Sequence, residues 1–252
     1  MTKIMAIANQ KGGVGKTTTA INIAANLVIK GKKVLAIDLD PQGNLTSGFG
    51  IDKENLENTV FDVITKQKTI EDCIKKPEDI DICILPANME LATAELELLS
   101  IDNREYVLKE ALEKHSEYYD FVVIDCPPSL NMLTINALTT ANSVIVPLQC
   151  EYFALEGLTQ LMNTVSLIKE RLNSKIFIEG IVFTMYDART NLSLQVVENV
   201  KRNIDSSIFK SIIPRNVRLA EAPSHGKPIS LYDEKSIGAK AYMDLVDIIL
   251  GE

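Results

Sequence analysis

Lys3-Ile4-Met5-Ala6-Ile7-Ala8-Asn9-Gln10-Lys11-Gly12-Gly13-Val14-Gly15-Lys16-Thr17-Thr18-Thr19 is the stretch on which the reading of this chain turns. An apolar run from Ile4 to Ala8 gives way to glycines, and an Ala/Ile/Leu-rich pattern follows from Ala20 to Ile29. The order is strand, glycine-rich loop, helix, which is the arrangement that cradles a polyphosphate. Gly12, Gly13 and Gly15 let the backbone curl with its N–H groups turned inward, where a side chain would obstruct an anion. The helix opening near Lys16 aims its positive dipole end at the same point. Lys16 is expected to reach the β- and γ-phosphates as a point charge, and the Thr17 hydroxyl to ligate Mg²⁺. The nucleotide-binding set on this reading is Gly12, Gly13, Val14, Gly15, Lys16, Thr17 and Thr18.

The usual loop pattern is G-x-x-x-x-G-K-[ST]. Here Gln10 stands where its first glycine belongs, and an additional lysine, Lys11, lies inside the loop. The bland reading of these residues is a glycine-rich turn between strand and helix, with Lys11 an ordinary solvated charge.

Working outward, the chain has 252 residues, enough for one α/β domain with a full core. Apolar residues make up 46%, aromatics 6%, and tryptophan is absent, which suits an Ala/Val/Ile/Leu sheet-and-helix interior. A net charge of −8 argues against a uniformly basic nucleic-acid binder but leaves room for a local basic patch. The cysteines, Cys73, Cys83, Cys126 and Cys150, are scattered, so buried thiols in a reducing compartment are expected rather than disulfides or a metal centre. No apolar run reaches the ~20 residues of a membrane span, and no secretory leader is seen. A cytoplasmic protein is the expectation.

Short apolar runs at Lys33–Asp38, Ile80–Leu85, Phe121–Asp125, Ser143–Leu148, Ile176–Phe183 and Phe209–Ile213 read as buried strands. Helices are expected at Thr59–Ile64, Thr69–Ile74, Glu90–Leu99, Arg104–His115, Ala154–Leu172, Leu192–Ile204 and Gly238–Leu250, with Gly48–Asn58 a polar connection. Strand and helix alternate, which predicts an α/β fold: a mostly parallel sheet with helices on both faces. Ligands of such sheets sit at the carboxyl ends of the strands. Three features fall there: the glycine loop, the pair Asp38 and Asp40, and Asp125 after four apolar residues. Asp125 is expected to hold Mg²⁺ directly or through water, with Asp38 helping. A loop-capping role is the alternative for both. His115 and His225 lack metal-ligand spacing and read as structural or solvent-facing, and Cys126 reads as packing.

The K-G-G-V-G-K-T-T loop resembles the deviant Walker A loop of the ParA/MinD group of ATPases. The Asp38-Leu39-Asp40-Pro41-Gln42-Gly43-Asn44 stretch and the segment Ile213-Pro214-Arg215-Asn216-Val217-Arg218-Leu219-Ala220-Glu221-Ala222-Pro223 resemble the small chromosomal, Soj-type ParA proteins. The resemblance implies a P-loop NTPase fold over residues 1–252 without the helix-turn-helix extension of larger plasmid relatives. It implies that Lys11 crosses a two-fold interface to the phosphates of the other subunit, so that ATP and Mg²⁺ sit inside a sandwich homodimer. Asp40 would position the attacking water; a carboxylate beside an anionic phosphate is a poor base, which favours positioning. Cys126-Pro127-Pro128-Ser129 would be a nucleotide-sensing switch. Pro214, Arg215 and Asn216 would wall the adenine, in keeping with the absence of a guanine-selecting N/T-K-x-D element.

The same resemblance makes Arg189 and Arg218 nonspecific DNA contacts, with Lys201, Arg202, Lys210 and Lys227 able to extend the patch; ordinary solvated charge is the alternative. The implied partner is a ParB-type centromere-binding protein that stimulates hydrolysis, and the implied location is the nucleoid when ATP is bound. A MinD-like membrane ATPase would need a basic amphipathic C-terminal helix, whereas Met243–Glu252 is acidic. A metabolic ATP-dependent ligase on the same fold is the reading from another class.

Overall fold

The computed structural model describes residues 2–151, 154–205 and 208–252. Seven strands, β1 (Lys3–Ile7), β2 (Val34–Asp38), β3 (Cys83–Leu85), β4 (Phe121–Asp125), β5 (Ser143–Gln149), β6 (Phe177–Tyr186) and β7 (Phe209–Pro214), form one sheet in the order β3-β2-β4-β1-β5-β6-β7. All of its neighbouring strand pairs are parallel. Five longer helices cover it: α1 (Lys16–Ile29), α2 (Met132–Thr140), α3 (Ala154–Arg171), α4 (Asn191–Asn203) and α5 (Ile237–Leu250). The expected α/β architecture holds. No helix among the described residues is long and apolar enough to cross a membrane.

Period-two alternation explains why the central strands are continuously apolar: both faces are buried. Met5 and Ile7 of β1 and Val123 of β4 pack with Ala20, Ile23 and Leu27 of α1 and with Tyr242, Leu245 and Val246 of α5. Ala6 of β1 and Val122 and Ile124 of β4 face the other way, onto Leu133 and Ala137 of α2 and Leu158 and Leu161 of α3. Register then sets the site. Ile7 and Asp38 both lie opposite Asp125, so the ends of β1, β4 and β2 come side by side.

Local differences from the sequence expectations have plain causes. The helix expected over Glu90–Leu99 is a 3₁₀ turn, Met89–Thr93, followed by Ala94–Leu98. The one expected over Arg104–His115 is likewise a 3₁₀ turn, Arg104–Tyr106, then Val107–Glu113. Ahead of the expected connection, Asn44–Gly48 is helical, entered through Gly43 at φ 60. Helix α2 carries no amphipathic stripe because Leu133, Thr134 and the whole run Asn136–Thr140 are buried, so periodicity does not reveal it. β6 runs past Phe183 to Tyr186 through a register irregularity, with Met185 at φ 50.

Candidate nucleotide site

The glycine loop leaves β1 and enters α1 through Gly15, whose φ of 85 lies in the left-handed region that a side chain disfavours. The loop is tied to the distant strands β5 and β6. Thr184 Oγ1 donates to the Val14 carbonyl at 2.7 Å, Asn9 Nδ2 donates to the Pro147 carbonyl at 2.7 Å, and Asn9 Oδ1 accepts the Lys11 N–H at 3.0 Å. Lys16 is 7% exposed, and its Nζ donates to the Lys11 carbonyl at 3.0 Å across the loop. Burial pulls its pKa down, against the opposing pull of Asp125, Cys126 and Asp40. Lys11 points elsewhere: its Nζ lies 2.5 Å from Glu151 Oε2, in a pair with both side chains part-exposed.

Asp125 is fully buried, and neither carboxylate oxygen has a hydrogen-bond partner. Burial first, and then the charge of Asp38, hold its pKa well above the carboxylate range, with the Thr17 hydroxyl and Lys16 among the opposing influences. A buried carboxylate without donors is costly, and a hard cation with oxygen ligands is what would relieve it. Thr17 and Asp125 therefore fit Mg²⁺. Asp38 is placed differently. Its Oδ2 accepts from Thr46 N at 2.9 Å and Thr46 Oγ1 at 2.8 Å, and its Oδ1 from Asp40 N at 3.1 Å. This is the loop-capping arrangement, and Asp38 reaches the metal region through its charge beside Asp125. Burial raises its pKa to about 6 despite these bonds. Asp40 is 9% exposed and accepts the Gln42 N–H at 2.9 Å. Gly43 closes this loop, and a Cβ there would lie 2.7 Å from the Ala87 carbonyl oxygen.

Next to the glycine loop is a cavity of about 670 Å³ lined by Gly15, Thr18, Thr184, Tyr186, Pro214, Arg215 and Asn216, among others. The expected base-binding segment and the expected phosphate loop thus share one cavity. Arg189 and Asp187 line its far side. Arg189 forms a two-pronged pair with Asp187, Nε to Oδ1 at 2.9 Å and Nη2 to Oδ2 at 2.7 Å, which holds the Asp187 pKa down at about 2. Arg218 pairs with Glu221 at 2.9 Å and Asp233 at 3.5 Å. Lys210 donates to the Asp205 and Ile208 carbonyls, and Lys227 pairs with Asp79 at 3.0 Å. Lys201 and Arg202 sit in the last turn of α4.

Cys126 is buried and its thiol pushed far up by that burial, which suits packing. His115 is buried against Glu71, and His225 stacks on Tyr232 at 4.9 Å. Sequence reasoning missed Asn9, Thr46, Glu151 and Thr184. Glu151 and Thr184 act on residues far away in the chain, while Asn9 and Thr46 act on Lys11 and Asp38 two and eight positions away, through loop geometry that no periodicity signals.

A model of the AAA domain family matches residues 2–178. The chain is 55% identical to the sporulation initiation inhibitor protein Soj of Bacillus subtilis over 97% of both chains. It is 49% identical to the chromosome partitioning protein ParA of Myxococcus xanthus over 96% of this chain and 86% of that one. Among solved structures it is similar to cobyrinic acid a,c-diamide synthase of Mycobacterium smegmatis with a bound ATP analogue and magnesium. That likeness has a TM-score of 0.87 and 40% identity over 99% of this chain and 95% of the other.

Proposed function

Because this chain belongs to the Soj/ParA family of partition ATPases, we propose that it is an ATP-driven switch for segregating a chromosome or plasmid. Lys16 and the loop from Gly12 to Thr18 bind the phosphates, and Pro214, Arg215 and Asn216 enclose adenine. Thr17 and Asp125 hold Mg²⁺, which supplies charge neutralisation on the β- and γ-phosphate oxygens. Asp38 fixes the loop that presents Asp40, and Asp40 orients the water that attacks the γ-phosphorus as the bond to ADP breaks. Lys11 leaves Glu151 and reaches the phosphates of a second copy, making a sandwich dimer. The dimer binds DNA nonspecifically through Arg189 and Arg218, and a ParB-type protein stimulates hydrolysis and resets the dimer to monomers.

One observation carries this reading: Lys11 sits inside the phosphate loop, yet its ammonium is turned outward to Glu151 while Lys16 alone spans the loop. A second cation aimed away from its own site is suited to a neighbour's. Such a switch needs ATP to favour the dimer strongly; moving the balance from 1:99 to 99:1 takes about 5.5 kcal/mol of differential affinity. The test is sedimentation and DNA binding with ATP, with ADP and with neither. Dimers that retain DNA are expected with ATP alone, and Lys16→Ala should abolish the difference. Equal behaviour in all three conditions sinks the switch.

The Mycobacterium smegmatis likeness favours a second reading, an amide-forming synthase in which ATP is a substrate. It requires turnover that depends on a carboxylate acceptor and a nitrogen donor and ignores DNA. Brisk DNA-stimulated turnover with neither present decides against it.

A further inference from the structure

The helical stretch after β3 leaves large apolar side chains in solvent. The 3₁₀ turn Met89–Thr93 runs directly into Ala94–Leu98. Leu91, Ala94 and Leu98, three and four residues apart, are buried in the core, as one helical face requires. The other side carries Met89, Leu96 and Leu99, which are 61%, 71% and 66% exposed. A lone surface leucine needs no explanation, but several large apolar groups on one short face mark a contact surface. No lysine, arginine or histidine occurs between Lys76 and Arg104, while Glu90, Glu95, Glu97 and Asp102 are interspersed with these residues. The cations at either end are taken by other carboxylates, Lys76 by Asp81 at 3.9 Å and Arg104 by Glu105 at 3.7 Å. Within this stretch the face is apolar and its charges are all negative, while Lys53, whose Nζ donates to the Gln42 carbonyl at 2.5 Å, lies at its Met89 end.

This face is wired to the loop that holds Asp40. Gln42 Nε2 donates to Met89 Sδ at 3.8 Å, and Gln42 N donates to Asp40 Oδ1 at 2.9 Å. Gly43, next in the loop, is pressed against the carbonyl of Ala87, two residues before Met89. Anything that seats on Met89 therefore bears on the position of Asp40.

Resting on the partner and the Asp40 role proposed above, we infer that the Met89–Leu96–Leu99 face docks a basic amphipathic segment of the stimulating protein. Such a segment would set lysines or arginines around apolar anchors. The anchors cover the three exposed side chains, and the cations meet Glu90, Glu95, Glu97 and Asp102, which fixes register and speeds encounter. A second copy of this chain is the poorer occupant, because identical faces would oppose like charges. Docking works on turnover by displacing Gln42 and tightening the Asp40 loop.

The experiment uses the full chain, a fluorescent lysine/leucine amphipathic peptide and the ParB-type protein of the same genome. Two double variants are compared with the wild type, Glu95→Lys with Glu97→Lys and Leu96→Ser with Leu99→Ser. All four positions are exposed, and thermal melts check that folding is intact. The peptide should bind the wild type and bind each variant about tenfold or more weakly, roughly 1.4 kcal/mol per decade. Stimulated turnover should be lost in both variants while basal turnover, DNA binding and ATP-dependent dimerisation stay as they were. Equal peptide binding with unchanged stimulation overturns the site. Loss of dimerisation in the variants also overturns it, by assigning the face to contact between copies. A wild type that no ParB-type protein stimulates refutes the partner instead, and the peptide arm still decides the face.

Discussion

Asp125 and Asp38 are two buried carboxylates at adjacent strand ends, and the folded chain holds them at a cost. Asp38 keeps its proton up to a pH of about 6, well above its ordinary value of 3.8. The native state therefore binds more protons than the unfolded state between those values. Stability falls as pH rises through that window, and the penalty is complete above it. Asp125, raised further by burial and by Asp38, adds to the loss in the same direction. Asp125→Asn should accordingly stabilise the nucleotide-free protein near neutral pH and gain little in acid. Each kcal/mol recovered is worth about 2–4 °C in a domain of this size. Calorimetry over a pH series checks this, and a melting temperature unmoved at neutral pH would show the carboxylate at ease without a cation. The same variant should lose the extra stabilisation that Mg²⁺ adds to ATP, because the orphaned carboxylate of Asp125 is gone.

The loop between Asp38 and Gly48 is the element on which the proposed turnover hinges. Thr46 caps Asp38, Thr46 Oγ1 accepts the Ala87 N–H at 2.9 Å, and the Asp40 carboxylate accepts the Gln42 N–H of its own loop. Asp40→Ala should leave ATP affinity and dimerisation within about twofold and cut turnover by about 10²-fold, the scale of a misplaced reactant. Single-turnover kinetics beside nucleotide titration separates the two effects, and normal turnover removes Asp40 from its role. Elements of this kind were legible in the chain to differing degrees. β1, β2 and β4 announce themselves because burial on both faces leaves an unbroken apolar run ending in loop or acid. Gly15, Lys16 and Thr17 are equally plain, since phosphate chemistry demands them in that order. Thr184 and Glu151 were invisible: their partners Val14 and Lys11 lie 170 and 140 positions away, and only β6 and β5 bring them together. Asp38 is expected either to help with Mg²⁺ or to cap its loop, and the bonds to Thr46 that serve the capping depend on a short helix that no periodicity marks.

Across the whole molecule, a net charge of −8 coexists with exposed arginines beside the nucleotide cavity. Arg189 and Arg218 already have carboxylate partners, but exposed pairs of this sort are weak, and exchanging them for phosphate is no great barrier. Arg189→Glu with Arg218→Glu should abolish DNA binding while sparing ATP-dependent dimerisation. If each of the four arginines in a dimer neutralises one phosphate, replacing them with uncharged residues should lessen the log–log salt slope by about 3.6. Filter binding over a salt series measures it, and an unaltered slope would place the contacts elsewhere. The packing of α5 on α1 has its own outcome. Tyr242 meets Thr19 at 3.1 Å across 223 positions of chain, directly behind the phosphate loop. During synthesis the loop emerges early and its prop emerges late. A growing polypeptide on the ribosome thus carries its phosphate loop without this prop until α5 has been made.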